Sequence, residues 1–417
     1  LKLSVIGTGY LGATHAACMS SLGFEVIGFD TEVSKIELLS KGQVPFYEPG
    51  LEELLEEQIK SGRLSFTTNI NDLADCDVHF ICVGTPQVKG GNSAGLVVGK
   101  STVPVGTAAR LRNRLIELNP KADLAWNPEF LREGFAVEDT LKPNRLVVGV
   151  VNDSAENILK EVYASNLKES TPWVRADLPT SELVKVAANS FLATKISFIN
   201  AMAEICEAAD GDVTVLAKAI GYDPRIGSRF LQAGIGFGGG CLPKDIRAFM
   251  ARAEELGAKQ AVEFLKEIDA INLRARQRII ELVRKDLSDN LQGKKVAILG
   301  AAFKPDSDDV RDSPALDIAV QIQAAGAIVT VHDPKAITNA QKRFPVLNFA
   351  NEINDTLKDA EIVLHLTEWK IYREIDPVKV KSLVKNATMI DGRNALDRQL
   401  WRNAGWKFRA LGRSNNE

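Results

Sequence analysis

Apolar residues in this chain occur either as short continuous runs or as longer stretches with a helical period, and the alternation of the two organises the sequence. Residues 2–6, Lys2-Leu3-Ser4-Val5-Ile6, read as a short buried strand. A helical stretch at 13–22 follows, and Phe24-Glu25-Val26-Ile27-Gly28-Phe29-Asp30 reads as a second strand ending in an acid. Further strands are predicted at 78–83 and 96–101. From Thr180 to Ala209, the residues Leu183, Val184, Ala187, Phe191, Leu192, Ile196, Ile199, Met202 and Ile205 recur at helical spacing. They predict one long, heavily buried helix linking domains. Helical patterning runs on to about residue 285, broken by the turn Arg225-Ile226-Gly227 and by a glycine-rich run before Cys241. A new alternation opens at Lys295–Gly300, with a helix at 314–325 and strands at 327–333, 361–366, 387–391 and 406–411.

Strand–helix alternation on either side of a helical middle predicts an α/β chain. The expected fold has two doubly wound parallel-sheet domains joined by a long central helix and a helical middle domain. Boundaries are placed at 1–178, 179–287 and 288–417, with Ser288–Lys294 as the second link. A length of 417 residues suits two or three domains at roughly 150 residues each. One connection does not fit. The link 86–95 is only ten residues of Gln, Lys, Gly, Asn and Ser, whereas a parallel crossover normally needs a dozen or more. The chain also opens at Leu1 without a methionine. Either residues are missing from the sequence in both places, or the pairing of the strands at 78–83 and 96–101 is in doubt.

Composition is that of an ordinary globular protein. A net charge of −3 gives no reason to expect nucleic acid or an anionic membrane as partner. No apolar run reaches the roughly 20 residues of a membrane span, and no signal-peptide pattern is seen at the start as given. Five cysteines lie far apart, so neither a disulfide framework nor a zinc spacing emerges. Four scattered histidines argue against a His-based metal site. The expected compartment is a reducing cytoplasm.

Chemistry enters at Gly7-Thr8-Gly9-Tyr10-Leu11-Gly12, between the first strand and its helix. Such glycines permit a tight turn and close approach of a pyrophosphate to a helix N-terminus. Asp30 lies at the spacing expected to hydrogen-bond an adenosine ribose and to repel the extra phosphate of NADP. The first domain is therefore Rossmann-like and the cofactor is expected to be NAD, although Lys35 is nearby. Gly84-Thr85 and Thr102 follow later strands, where a doubly wound sheet binds its ligand. The second α/β unit carries Gly300-Ala301-Ala302-Phe303-Lys304 instead of the glycine fingerprint. It reads as Rossmann-like without a second dinucleotide, a different nucleotide grip being open to Lys304 and Arg393.

The most telling segment is Gly236-Phe237-Gly238-Gly239-Gly240-Cys241-Leu242-Pro243-Lys244-Asp245. Its glycines are read as clearing side chains so that another molecule can approach the thiol. Pro243 suits the first turn of a helix, which puts Cys241 at a helix N-terminus where thiolate is favoured. Lys244 adds charge, and Asp245 returns to the same face. In Asn127-Pro128-Glu129-Phe130-Leu131-Arg132-Glu133-Gly134, a helical turn would place Glu129 and Glu133 on one face. That pair could do acid–base work or bind hydroxyls, or be a solvated turn. Lys185 and Asn189, four apart on the long helix, are either snorkelling surface groups or a polar pair aimed into a cleft.

Taken in order, GTGYLG, KSTVPVG, NPEFLREG, SELVKVAANSFLATKISFINAM, RIG, GFGGGCLPKD, AFKPDSDDVRDSP and DGRN resemble the UDP-glucose/GDP-mannose dehydrogenase family over essentially the whole chain. The resemblance implies oxidation of a nucleotide sugar's primary alcohol at carbon 6 to a carboxylate, with two NAD per turnover, through a thiohemiacetal and a thioester on Cys241. The pattern is most like the branch acting on UDP-glucose; GDP-mannose and UDP-N-acetylmannosamine are the alternatives. By the same resemblance Lys185 and Asn189 stabilise oxyanions, and Asp245 and Thr102 move protons through a water, with Glu133 assisting. Glu129 serves the hydrolysis step. Cofactor contacts are expected from Gly7, Gly9, Tyr10, Leu11, Gly12, Asp30, Lys35, Gly84, Thr85, Thr102, Glu133, Lys244 and Arg311. Substrate contacts are expected from Glu129, Phe130, Leu131, Lys185, Asn189, Phe237, Gly238, Cys241, Phe303, Lys304 and Arg393. Arg225 is expected to reach across the interface of a homodimer built on the long helix. No metal is implied. A simple two-electron dehydrogenase would need no thiol, and a non-catalytic scaffold would need none of Lys185, Asn189, Cys241 and Asp245.

Overall fold

Continuous Val, Ile and Leu runs become the inner strands of parallel sheets, because helices then cover both faces. The computed structural model describes residues 1–83 and 95–413, and the chain divides into two compact units, Leu1–Ala188 and Asn189–Glu417. In the first unit the strands are β1 (Lys2–Ile6), β2 (Glu25–Phe29), β3 (Leu64–Thr67), β4 (Val78–Ile81), β5 (Leu96–Gly99), β6 (Asp123–Trp126), β7 (Leu146–Gly149) and β8 (Trp173–Ala176). They lie in the order β3-β2-β1-β4-β5-β6-β7-β8. The order reverses between β1 and β4, which opens a crevice beyond the strand ends. Leu3, Val5, Val26, Val78, Phe80 and Val98 form the core with Ala13, Ala16 and Ala17 of the helix Tyr10–Ser21.

The sheet departs from the expected parallel plan at one junction, where β6 and β7 meet antiparallel at Trp126 and Gly149. The doubtful pairing of β4 and β5 is a regular parallel one, from Val78 opposite Leu96 to Ile81 opposite Gly99. Most of the short link, with Gly84 and Thr85, lies outside the described residues.

In the second unit β9 (Lys295–Leu299), β10 (Ile328–His332), β11 (Asn348–Phe349), β12 (Ile362–His365), β13 (Thr388–Asp391) and β14 (Lys407–Ala410) are ordered β11-β10-β9-β12-β13-β14. Every pairing is parallel. Val296, Ile298, Val329, Val331, Ile362, Leu364 and Ile390 fill its core. Two smaller apolar clusters, around Phe237 and around Ile199, hold the helical part of this unit.

The long helix spans Leu178–Ala208, as the periodicity predicts, but most of its apolar stripe is exposed or only half-buried. Phe191 is 66% exposed, Phe198 46% and Ile205 57%, and of the nine predicted core positions only Ile199 is fully buried. The buried face is largely small and polar: Asn189, Ser190, Ala193, Ser197, Asn200 and Ala203. Two of those polar groups bond across this unit: Ser197 Oγ donates to the Ile268 carbonyl at 2.8 Å and Asn200 Oδ1 accepts from Gly234 N at 2.8 Å. Periodicity reports which residues share a face; it does not say what covers that face. Among the described residues no helix is long and apolar enough to cross a membrane.

Candidate active site

The three glycines after β1 differ in what requires them. Gly7 has φ +90°, and a Cβ there would meet Val83 at 2.1 Å; a Cβ on Gly12 would meet the Gly7 carbonyl oxygen at 1.8 Å. Turn and helix–strand packing therefore demand both. Gly9 faces open space directly before the helix Tyr10–Ser21, and is where a pyrophosphate finds room against helix N–H groups. Asp30, at the end of β2, accepts from Thr8 N at 3.0 Å, Glu32 N at 3.2 Å and Lys35 Nζ at 3.0 Å. Partial burial pushes its carboxyl up, but these donors hold it below its ordinary value. Lys35 also pairs with Glu32, so its charge is spent locally. The residues fit a dinucleotide. Asp30→Ala removes the ribose acceptor and frees Lys35, and should lower the NAD-over-NADP ratio of kcat/KM by about tenfold or more, read from steady-state rates with both cofactors.

The corresponding acid of the second unit is used differently. Asp333, 2% exposed at the end of β10, accepts from Ala301 N at 2.8 Å, Ala302 N at 2.9 Å and Trp369 Nε1 at 3.1 Å. Lys335 N and Ala336 N, both at 2.9 Å, complete five donors on one carboxylate. The N–H groups that would face a pyrophosphate are thus already taken.

The segment Glu129–Gly134 is not helical, contrary to the expectation for Glu129 and Glu133. Side chains take the backbone donors that a helix would have used. Leu131 N donates to Glu129 at 2.8 Å and Arg132 N to Asp139 at 2.8 Å; Gly134 N and Ala136 N each donate to Glu48 at 2.7 Å. Buried Glu48 also receives the Tyr10 hydroxyl, which accepts from Gly134 N at 3.0 Å. The Tyr10 side chain therefore anchors this loop and leaves only its backbone for a cofactor. Glu133 is half-buried. Leu11 lines one cavity with Glu129, Phe130 and Leu131.

Lys185 is buried, with Nζ 3.2 Å from Glu129 and 5.6 Å from the centre of the Phe130 ring. It is not a snorkelling surface group. One turn earlier, buried Glu182 accepts from Gly106 N and Ala108 N, both at 2.7 Å. This caps the helix Thr107–Leu118 and fixes the turn that carries half-buried Thr102. Lys100 is also buried, donating to Asn127 Oδ1 at 2.8 Å and Tyr163 OH at 3.4 Å. Burial pulls it down to about 8, against a smaller opposing effect of Cys82 and Glu129. Between that value and the usual lysine range, the unfolded chain binds more protons than the folded one, so Lys100 makes stability rise with pH. Lys100→Met should remove roughly 2 kcal/mol of this rise between pH 7.5 and 9.5, measured as the difference in urea midpoints.

Cys241 is exposed and is the N-cap of the helix Leu242–Glu255, with Pro243 in its first turn. Asp245 N donates to the Cys241 carbonyl at 2.9 Å. The Asp245 carboxylate, buried, accepts from Asn189 Nδ2 at 2.7 Å, with Lys244 at 3.7 Å. The glycines before the thiol are explained by this unit's own packing, where the sequence had suggested ligand access. A Cβ on Gly236 would strike Asn272, on Gly238 the Asp312 carbonyl, on Gly239 the Phe303 ring and on Gly240 the Arg311 guanidinium. Phe237 points into an apolar cluster with Ala193, Ile246 and Leu265.

Arg393 donates to the carbonyls of Leu366 at 2.8 Å, Gly236 at 3.0 Å and Phe303 at 3.1 Å. It clamps the loop, leaving little of its fork for a nucleotide. Arg311 forks onto Asp309, and Lys304 Nζ sits 5.6 Å from the Phe303 ring centre. Arg225 pairs with Asp223 at 2.6 Å, and its side chain is 87% exposed. Glu48, Glu182 and Asn272 escaped the sequence reading because each acts on backbone 35 to 88 residues away, a separation without a spacing signal.

A glycine turn that fits a dinucleotide, with an acid at the end of the next strand, defines an NAD-dependent oxidoreductase of the doubly wound class. Residues 1–96 and 89–167 match the NAD binding domain of the UDP-glucose/GDP-mannose dehydrogenase family, 179–274 its central domain and 297–398 its UDP binding domain; the chain belongs to that family. It is 38% identical to a UDP-glucose 6-dehydrogenase of Rhizobium meliloti, over 99% of this chain and 100% of the relative. A UDP-glucose 6-dehydrogenase of Bacillus subtilis is 37% identical, over 99% and 93%. Among solved structures, a UDP-glucose dehydrogenase of Pyrobaculum islandicum matches with TM-score 0.88 and 35% identity, covering 99% of this chain and 98% of that one. A UDP-D-ManNAc dehydrogenase of Pyrococcus horikoshii matches with TM-score 0.85 and 25% identity, covering all of both.

Proposed function

We propose that this enzyme oxidises UDP-glucose to UDP-glucuronate, taking two hydrides from carbon 6. The observation that carries the reading is Cys241 at a helix N-cap in a chain aligned end to end with UDP-glucose 6-dehydrogenases. Bound NAD supplies the acceptor for each hydride. A hydride leaves readily from a tetrahedral carbon that bears an ionising oxygen, and the planar aldehyde formed first offers none. Addition of the Cys241 sulfur restores a tetrahedral centre as a thiohemiacetal. Loss of the second hydride makes a thioester; water then adds, the C–S bond breaks, and carboxylate and thiol are released.

Lys185 and Asn189 stabilise the oxyanions, the one a buried cation and the other an amide oriented by Asp245. Asp245 and Thr102 carry protons through a water with Glu133 assisting, and Glu129 serves the hydrolysis. NAD belongs to the domain at 1–178, the dimer contact to 179–287 and the uridine diphosphate to 288–417. All five cysteines are outside disulfides and the mechanism needs a reduced thiol, so the reading places the enzyme in the cytoplasm. The deciding experiment is a panel of UDP-glucose, GDP-mannose, UDP-galactose and UDP-N-acetylmannosamine with NAD, counting NADH and weighing the product. Two NADH per UDP-glucose is expected. One NADH per sugar would remove the thioester route, and turnover only of UDP-N-acetylmannosamine would move the enzyme to the branch that the Pyrococcus protein represents.

The same reading makes the enzyme at least a homodimer. Phe191, Phe198 and Ile205 stand exposed at seven-residue spacing, the geometry of a helix seam that awaits a second helix. The nearby turn leaves the Arg225 side chain 87% exposed, paired with Asp223, where a partner's substrate can compete for it. Arg225→Ala subunits mixed with Cys241→Ala subunits should regain activity after exchange, because one site of the mixed dimer has both groups intact. Exchange proven by mass without any recovery would end the cross-subunit role.

A further inference from the structure

The loop that presents Cys241 has no grip of its own. Between Phe237 and Cys241 every residue is glycine, and glycine carries the largest backbone freedom to be lost on ordering. Its shape is therefore set by what holds it from outside. Asn272, 1% exposed on the helix Phe264–Asp286, makes two hydrogen bonds to a single residue. Its Oδ1 accepts from Phe237 N at 2.7 Å, and its Nδ2 donates to the Phe237 carbonyl at 3.0 Å. An amide so paired fixes both the position and the orientation of the peptide, as a neighbouring strand would. One turn further on, buried Arg276 donates to the same carbonyl at 3.1 Å, and to Asp312 at 3.0 Å and Asp317 at 3.1 Å. Asp312 and Arg311 are the residues whose backbone lies against Gly238 and accepts from Gly239 N at 2.9 Å. Arg276 thus ties both walls of the loop to one helix.

We propose that Asn272, backed by Arg276, is the positioning residue that sets the thiol of Cys241 in its reactive place at the helix N-terminus. The inference rests on the reading of Cys241 as nucleophile. Without the two hydrogen bonds from Asn272, the Phe237 peptide that leads into the glycines loses its orienting partner, although Arg393 still holds Gly236, and the thiol shifts from its place at the helix N-terminus. The downstream helix and the apolar cluster around Phe237 stay intact, so the effect falls on the thiol rather than on the fold.

The test uses the full-length enzyme with NAD and UDP-glucose. Asn272→Asp keeps the acceptor for Phe237 N but sets an oxygen against the Phe237 carbonyl; Arg276→Lys keeps the charge facing Asp312 and Asp317 but loses the fork. The rate of Cys241 alkylation by iodoacetamide is followed from pH 5 to 10 by peptide mass. Both variants should show the alkylation midpoint moved up by about one pH unit and a rate near pH 7 roughly tenfold lower. kcat should fall at least as much, with KM for both ligands within about twofold. An unchanged alkylation profile in either folded variant overturns the proposal. The profile reads the loop without any turnover. If Cys241→Ala were to retain full activity, the catalytic reading would fall while the positioning of the thiol would still be measured.

Discussion

Cys241→Ser is expected to abolish steady-state formation of the carboxylate, by at least about a thousandfold, while NAD and nucleotide sugar still bind. The substitution removes little volume at an exposed N-cap, and serine is a preferred capping residue, so the thermal midpoint should hold or rise. What changes is the nucleophile. A serine hydroxyl is far less ionised than a thiol near neutral pH, and its ester is a slower acyl intermediate than a thioester. The first oxidation asks only for a base and for stabilisation of the alkoxide, so aldehyde can still form. Rapid-quench analysis should find either aldehyde with one NADH per site, or a trapped serine ester with two NADH per site and no further turnover. Two NADH per sugar at the unmodified rate would assign the thiol a structural role and refute the thioester route.

Lys185→Ala is expected to lower kcat by about 10² to 10³, the usual effect of losing one preorganised donor at a developing oxyanion, with smaller changes in KM. This lysine is buried and faces Glu129 at 3.2 Å. Its removal also leaves a carboxylate without its cation, at some cost in stability. The two effects separate with Lys185→Met and Lys185→Arg. A purely structural lysine would be replaced by arginine with activity largely kept, whereas an oxyanion partner depends on where its N–H groups stand. Retention of more than about a tenth of kcat in Lys185→Met would remove it from the chemistry.

The elements were legible wherever a long or repeated pattern existed. The strands at 2–6 and 295–299, the helix 314–325 and the long helix each appear within a few residues of expectation, since burial on a sheet or along a helix imposes its period on the residues themselves. The four-residue strands Leu146–Gly149 and Trp173–Ala176 were missed, although strands as short, such as Val78–Ile81 and Leu96–Gly99, were expected; so short a run carries too little period to fix its assignment. The glycine fingerprint was legible as a tight turn between strand and helix but not in detail. Sequence could not show that Gly7 and Gly12 are required by packing while Gly9 faces open space, because the difference lies in what stands within 4 Å of each.

By itself, the sequence determined the α/β class, the dinucleotide turn with Asp30, the thiol at the start of a helix and the membership of a family, because each is a local arrangement of a few consecutive residues. Only the tertiary structure decided which side chains hold those arrangements in place. Glu48 secures the Glu129–Gly134 segment, Glu182 the turn after Thr102, and Asn272 with Arg276 the glycines before Cys241. It also decided that part of the apolar stripe of the long helix, Phe191 and Ile205 included, is exposed in the single chain. The physical reason is the same in each case. A backbone N–H left unbonded in a loop must find an acceptor, and an apolar face must find cover, but neither requirement names a partner until the chain has folded.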